Sequence, residues 1–523
     1  KQQTKMTNNI QLFHRTGLFA TVFTTGASVM VIELLGTRVI APFYGASLYV
    51  WSSLISVTMI ALAIGYFVGG RWADTSKRTG LSLIIALAGI FTLLIPLLTR
   101  TVLLATDPLG LRGGAFVSAL ILFSPSLTLL GMVGPFAIKL ATSQLEGVGN
   151  SAGSIYAVST VGSVVGTLVL GFFLFPLLGS RQILIGTGIL LLVLAVAIAI
   201  YEQKKLKVPV AILPSVIITV ISLALLPKIV DAGRGYIGGN QFLIQSERES
   251  LYGWVRVIDQ KARDLRLLTS DASTIGASSI SNGQSRLSYQ DIVGLIPALA
   301  TQKMNRALII GLGAGHMAKV LHDRYNIVTD TLEIDPAVAD AAVDYFGYQP
   351  TGKAIVGDAR YEIRHLTGPY DLIIHDCFTG GSEPAHLLTV ETLAQLHGLL
   401  SEPGILALNF VAFAQGENAK ALAAVSKTLA EVFPQQSVFI SEPGRDFNDF
   451  IFLATKNQPI DLDAKTLLAS QSIWLKERLF TVDNRNGVLL TDNLNPLEHL
   501  QTAKAEHYRH VVVDWFGPEL LVR

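Results

Sequence analysis

Half of the 523 residues are hydrophobic and only 15% are charged, with a mean hydropathy of +0.48. That is too apolar for a soluble chain of this length, and the excess is confined to roughly the first 230 residues. A net charge of +1 gives no bulk attraction to nucleic acid, and a single cysteine, Cys377, excludes an internal disulfide.

Residues 1–230 read as an α-helical polytopic membrane domain, with the bilayer as its partner. Seven apolar runs are long enough to span about 30 Å of hydrocarbon. They are Gly17–Leu35, Tyr49–Val68, Leu81–Leu98, Ala115–Ile138, Ile155–Leu177, Ile183–Ile200 and Val208–Leu226. Pro125 and Pro135 interrupt the fourth. Gly65/Gly69 and Gly162/Gly166 have the spacing that lets helices approach closely. Lys5 and Arg15 precede the first run without an A-x-A-like cleavage site after it, so it reads as a span rather than a cleaved signal peptide. Glu33 lies near the end of that span with Arg38 shortly after. An acid inside a span is a functional candidate; the alternative is an interfacial acid paired with Arg38 or solvated.

The chain is thus expected in the cell membrane as a multi-pass protein. Lys1, Lys5, Arg15, Arg71, Lys77, Arg78, Lys139, Lys204, Lys205 and Lys207 fall on one side, and Arg38, Arg100, Arg112 and Arg181 on the other. The positive-inside rule puts the N-terminus in the cytoplasm. Seven spans then carry the C-terminal half outside, whereas its nucleotide-type cofactor places it in the cytoplasm, and the two expectations conflict.

Residues 231–300 read as a linker and a β-rich subdomain. Gly233, Gly235, Gly238 and Gly239 mark the linker, and strands are expected within 242–250, 251–259 and 265–271. Ser270–Gly283 reads as a small-residue loop and Leu287–Leu299 as a helix. Residues 301–523 read as a Rossmann-like, methyltransferase-type α/β domain with a mostly parallel sheet. Strands are expected at Lys353–Val356, Asp371–His375, Ile405–Asn409, Ser437–Ile440 and Phe450–Leu453. Helices are expected at Pro336–Phe346, Thr389–Leu400 and Ala419–Val432.

The stretch from Arg306 to Asp335 carries the clearest chemistry. The apolar run Ala307–Ile310 enters a turn with Gly311, Gly313 and Gly315, a helix follows, and a second strand ends in Glu333. Glycines let a ligand approach the backbone, and an acid about 20 residues on can accept from a ribose diol. No basic side chain stands nearby for a pyrophosphate, which favours an adenosyl sulfonium. Asp358 and Asp376 also fall at strand ends. Asp376 reads as an amine-binding group or general base, since an alkylammonium must lose a proton before it can attack. Cys377 reads as a small buried residue, and His375 and His386 lack metal-ligand spacing, so no metal is expected.

With the glycine turn, Glu333-Ile334-Asp335, Gly357-Asp358-Ala359, the segment Tyr370–Asp376 and Glu383–Leu387, residues 245–455 resemble the polyamine aminopropyltransferases, the spermidine and spermine synthase family. The whole chain resembles its membrane-fused, multi-span form. The resemblance implies that Glu333 holds the ribose, that Asp358 and Ala359 contact the adenine, and that Asp376 deprotonates the attacking amine. It implies transfer of the aminopropyl group of decarboxylated S-adenosylmethionine to putrescine or a related amine, with release of methylthioadenosine. It also hints at a homo-oligomer.

This sequence departs from the family pattern at the polyamine side of the site. Ala314 and Thr379 stand where members carry aspartates, Tyr289-Gln290-Asp291 replaces Tyr-His-Glu, and Tyr252-Gly253 replaces Tyr-Gln. Tyr252, Gln290, Asp291 and Thr379 are therefore the substrate candidates. Three readings follow: the aminopropyltransferase; an S-adenosylmethionine enzyme that transfers methyl or displaces methylthioadenosine within its own substrate; and a polyamine transporter or sensor with an adenosyl-binding domain.

Overall fold

A computed structural model describes residues 2–45, 48–75, 80–142, 148–206, 212–231, 242–378 and 381–522. Thr379 and the linker glycines lie outside these residues. The chain divides into two compact units, 1–236 together with 518–523, and 237–517.

The first unit is helical. Its helices are α1 (Gln2–Tyr44), α2 (Leu48–Thr75), α3 (Leu81–Thr106), α4 (Gly110–Ala141) and α5 (Val148–Val169), followed by Ser180–Leu206 and Ile212–Asp231. Among the described residues, six stretches are long and apolar enough to cross a membrane, against the seven runs expected from the sequence. The difference lies in residues 81–141, a 61-residue stretch that holds both α3 and α4. These two helices fold back on each other: Thr92 Oγ1 lies 2.7 Å from Ser126 Oγ, and Thr106 Oγ1 lies 2.7 Å from Ser118 Oγ.

Pro125 and Pro135 do not interrupt α4, which stays helical throughout. The irregular helix is the fifth, where a π-helical turn follows at Leu170–Leu174. The glycine pairs mark close packing. A Cβ on Gly69 would sit 2.6 Å from the Cα of Met132 in α4, and one on Gly166 would sit 2.9 Å from the Cα of Ala27 in α1. Arg38 stacks on the Phe175 ring at 4.4 Å, and among the described residues Glu33 has no hydrogen-bond or ion-pair partner.

The second unit holds two sheets. Strands β1 (Leu243–Glu249), β2 (Trp254–Gln260), β3 (Leu265–Ser270) and β4 (Ser273–Ser278) form an antiparallel meander in sequence order. Its inner face, Val255, Val257 and Leu268, packs on Ala337, Val338 and Ala341 of the helix Pro336–Phe346. Within the expected loop Ser270–Gly283, residues Ser273–Ser278 form the strand β4. Its small residues hid the pattern, yet Leu267 and Leu268 of β3 pair with Ala277 and Gly276. The expected helix Leu287–Leu299 is two short pieces, Tyr289–Val293 and Ile296–Leu299. Gly294 ends the first, and Pro297, which lacks an N–H, opens the second.

The larger sheet is built from β5 (Arg306–Ile310), β6 (Val328–Glu333), β7 (Ala354–Val356), β8 (Tyr370–His375), β9 (Leu400–Phe413), β10 (Gln435–Ile440), β11 (Phe447–Thr455) and β12 (Leu479–Phe480), in the order β12-β10-β11-β9-β8-β5-β6-β7. Pairs from β7 to β9 are parallel, and β11 runs antiparallel to both β9 and β10. This is a methyltransferase-like sheet. It is buried on both faces: Leu308 and Ile310 enter one core, Ala307 and Ile309 the other. Strand order reverses between β5 and β8, the place where such sheets bind ligands.

Candidate active site

The turn after β5 brings three elements together. Gly311, Gly313 and Gly315 all have positive φ, at 92°, 53° and 76°. Space is as restrictive as conformation. A Cβ on Gly311 would collide with the carbonyl of Asp376 after β8, and one on Gly313 would lie 2.5 Å from the carbonyl oxygen of Ile275 in β4. One on Gly315 would lie 2.6 Å from Tyr348. The turn is thus clamped between the end of β8 and the small sheet.

A cavity of about 590 Å³ opens at this point, within the usual range for small-molecule sites. Gly311, Gly313, Glu333, Asp358, Ala359 and Asp376 all line it, as do Tyr252 and Gln290. Gly315 and Asp291 do not; Asp291 is exposed elsewhere.

Glu333 braces the turn from below. Its two carboxylate oxygens accept the N–H groups of Leu312 and Asp335, each at 3.0 Å. Burial pushes Glu333 up to about 7, although these backbone donors pull it down. Asp358 caps the turn that follows it, accepting the Arg360 N–H at 2.7 Å. Asp376 has a donor at each oxygen: the Tyr289 hydroxyl at 2.6 Å and Asn409 Nδ2 at 3.0 Å. Burial raises Asp376 above the ordinary carboxylate range, and the two donors oppose it.

The neighbouring groups are quiet. Burial, with the charges of Glu333 and Asp376, holds Cys377 well above the usual thiol range, so it stays protonated. Burial lowers His375 to about 4, and its Nε2 lies 3.2 Å from the Leu387 carbonyl. Among the described residues, no three His, Cys, Asp or Glu side chains gather as metal ligands.

Several lining residues were not singled out from the sequence. Asn409 ends the expected strand Ile405–Asn409, a position that strand-end reasoning could have flagged. Asp449 stands just before the expected strand Phe450–Leu453 and within β11; because β11 is antiparallel, its starting end is the one that reaches the site. The helix Thr502–Phe516 supplies Tyr508, Val511, Val512 and Trp515. It is anchored by a buried ion pair between Lys504 and Glu383, and by the Tyr508 hydroxyl, which accepts the Thr274 N–H at 2.9 Å.

Two curated proteins are similar to this chain. The N-terminal histidine N-methyltransferase of Emericella nidulans is 28% identical over 317 residues, covering 55% of each chain. The polyamine aminopropyltransferase of Vibrio vulnificus is 35% identical over 178 residues, 32% of this chain and 60% of that one. The chain therefore spans little more than half the length of either relative. A crystal structure of a probable spermidine synthase from Corynebacterium glutamicum aligns with a TM-score of 0.39 at 22% identity, over 50% of this chain and 94% of that one. No family model matches the chain.

Proposed function

We propose that the 237–517 unit transfers an alkyl group from an adenosyl sulfonium to an amine nitrogen. Within that class we assign transfer of the aminopropyl group of decarboxylated S-adenosylmethionine to putrescine or a related amine, releasing methylthioadenosine. The observation that carries the reading is Asp376. It is a carboxylate fixed by Tyr289 and Asn409, and it faces the same cavity as the glycine turn, Glu333 and Asp358. Glu333 would accept from the ribose, Asp358 and Ala359 would meet the adenine, and Asp376 would meet the acceptor nitrogen. The positive sulfur makes a good leaving group, so the residues have mainly to position the nitrogen and strip its proton. The named relatives support the class: one is an aminopropyltransferase and the other an N-methyltransferase.

Methyl transfer from S-adenosylmethionine is the second reading, and Ala314 favours it. Ala314 is 4% exposed, and a Cβ on Gly276 of β4 would lie 2.5 Å from its Cβ. Ala314 thus packs against β4 and offers no carboxylate to hold the ammonium of an aminopropyl donor. The two readings separate by product. Purified protein is incubated with S-adenosylmethionine or its decarboxylated form, with and without putrescine, and the products are identified by mass spectrometry. Putrescine-dependent spermidine and methylthioadenosine support the first reading; S-adenosylhomocysteine supports the second. Methylthioadenosine formed without any amine refutes transfer to nitrogen. The helical unit is read as holding this enzyme in the cell membrane.

A further inference from the structure

A second carboxylate faces the cavity beside Asp376. Asn409 Nδ2 lies 3.0 Å from Asp376 Oδ1 and 3.5 Å from Asp449 Oδ1, so one amide group spans two acids. Asn409 is only 9% exposed, yet its Oδ1 has no partner among the described residues, and neither has Oε1 of the cavity-lining Gln290. Neither acid has a cation within ion-pair distance among the described residues; the nearby Lys504 is committed to Glu383. Two carboxylates and two idle acceptor oxygens make a place short of donors, and a primary ammonium brings three.

The two acids are not equivalent. Asp376 accepts a short bond at each oxygen, and both bonds favour its charged form. Asp449 has only contacts at the limit of hydrogen bonding, 3.5 Å to Asn409 and 3.4 Å to Ser441. A proton placed on Asp376 forfeits a short bond, whereas one on Asp449 forfeits little. Building on the function proposed above, we propose that Asp449 receives the proton lost by the acceptor ammonium, while Asp376 holds that nitrogen as a fixed anion. The ammonium gives one proton to the Asp449 carboxylate. The freed nitrogen lone pair forms the N–C bond as the C–S pair leaves to sulfur, giving a neutral thioether. The product nitrogen keeps one positive charge, and Asp449 returns its proton to solvent.

The electrostatics agree with this assignment. Burial and the charge of Asp376 push Asp449 up to about 7; Asn409 and Ser441 oppose this, and Glu383 adds to it. Lys504, Tyr289 and Tyr508 also face Asp449, with the exposed pair Glu442–Arg445 on the cavity wall. A base must be ionised to act, so kcat/KM should climb tenfold per pH unit below about 7 and level off above it. Asp449→Asn should lower kcat at least 100-fold and abolish that limb, while methylthioadenosine affinity by calorimetry stays within twofold. Asp449→Glu should restore the limb. In Asp376→Asn the residual activity should keep a limb shifted to lower pH, because the charge that raises Asp449 is gone. An Asp449→Asn enzyme with normal rate and limb overturns the assignment, as does an unshifted limb in Asp376→Asn. Wild-type protein that alkylates no amine instead overturns the functional reading beneath it.

Discussion

Asp376 keeps its position through donors on two different elements, Tyr289 on a short helix and Asn409 on β9. Asparagine at 376 would keep the shape but lose the charge. Asp376→Asn should therefore cut kcat by about two to four orders of magnitude. Methylthioadenosine should bind within about twofold of wild type in calorimetry, and unchanged turnover would remove Asp376 from the chemistry. Glu333 braces the Leu312 and Asp335 N–H groups and lines the cavity, where the proposed reading gives it the ribose. Glu333→Ala should weaken methylthioadenosine binding by at least tenfold, about 1.4 kcal/mol; equal affinity would refute the ribose role. Glu333, Asp358 and Asp376 are legible in the sequence because each stands at, or one or two residues past, the carboxyl end of a parallel strand. Asp449 is not, because the site meets the start of its strand, and strand direction is a property of the sheet rather than of the local residues.

At the scale of elements, the cavity-bearing unit depends on β4 and on the helix Thr502–Phe516, and neither announces itself. β4 reads Ser-Thr-Ile-Gly-Ala-Ser, and Ile275 is its one large apolar residue, too little for a strand period to show. It is a strand because β3 supplies its hydrogen bonds and because Gly276 lets it lie against Ala314 of the glycine turn. Gly313→Ala tests this contact. Its φ of 53° costs a non-glycine residue about 1–2 kcal/mol, and the new Cβ would meet the Ile275 carbonyl. The variant should melt at a lower temperature and lose adenosyl binding. Normal binding would mean that β4 can retreat without disturbing the site. The helix depends on Lys504, whose ammonium is buried against Glu383 and lies 4.5 Å from the Phe410 ring. Lys504→Met leaves Glu383 charged and alone, which costs about 3–5 kcal/mol. Adding Glu383→Gln should recover much of that loss in denaturant melts, since a glutamine oxygen can still accept the Val411 N–H. No recovery would show that the lysine stem, rather than charge pairing, anchors the helix.

For the whole molecule, the question that sequence and structure pose together is how residues 81–141 meet the bilayer. The sequence shows two apolar runs here, Leu81–Leu98 and Ala115–Ile138, whereas the helices follow each other so closely, with only Asp107–Leu109 between them, that residues 81–141 form one apolar stretch. The fold separates them. Gly110 has a φ of 71°, and beyond it α4 runs back along α3, with Ser126 Oγ 3.2 Å from the Ala88 carbonyl. The two helices have 26 and 32 residues. At about 1.5 Å per residue, either is longer than the 30 Å of a hydrocarbon core. Two crossings are the expected outcome, and the basic residues Arg71 and Lys139 then put the ends of this hairpin in the cytoplasm and its tip outside. The single native cysteine makes the test clean. In a Cys377→Ser background, Leu109→Cys should react with a membrane-impermeant maleimide on intact cells, and Ala141→Cys only after permeabilisation. Were the stretch to cross once, Leu109 would lie inside the bilayer and its cysteine would stay unlabelled under both conditions. Labelling at 141 but not at 109 in intact cells would reverse the orientation that the charges specify.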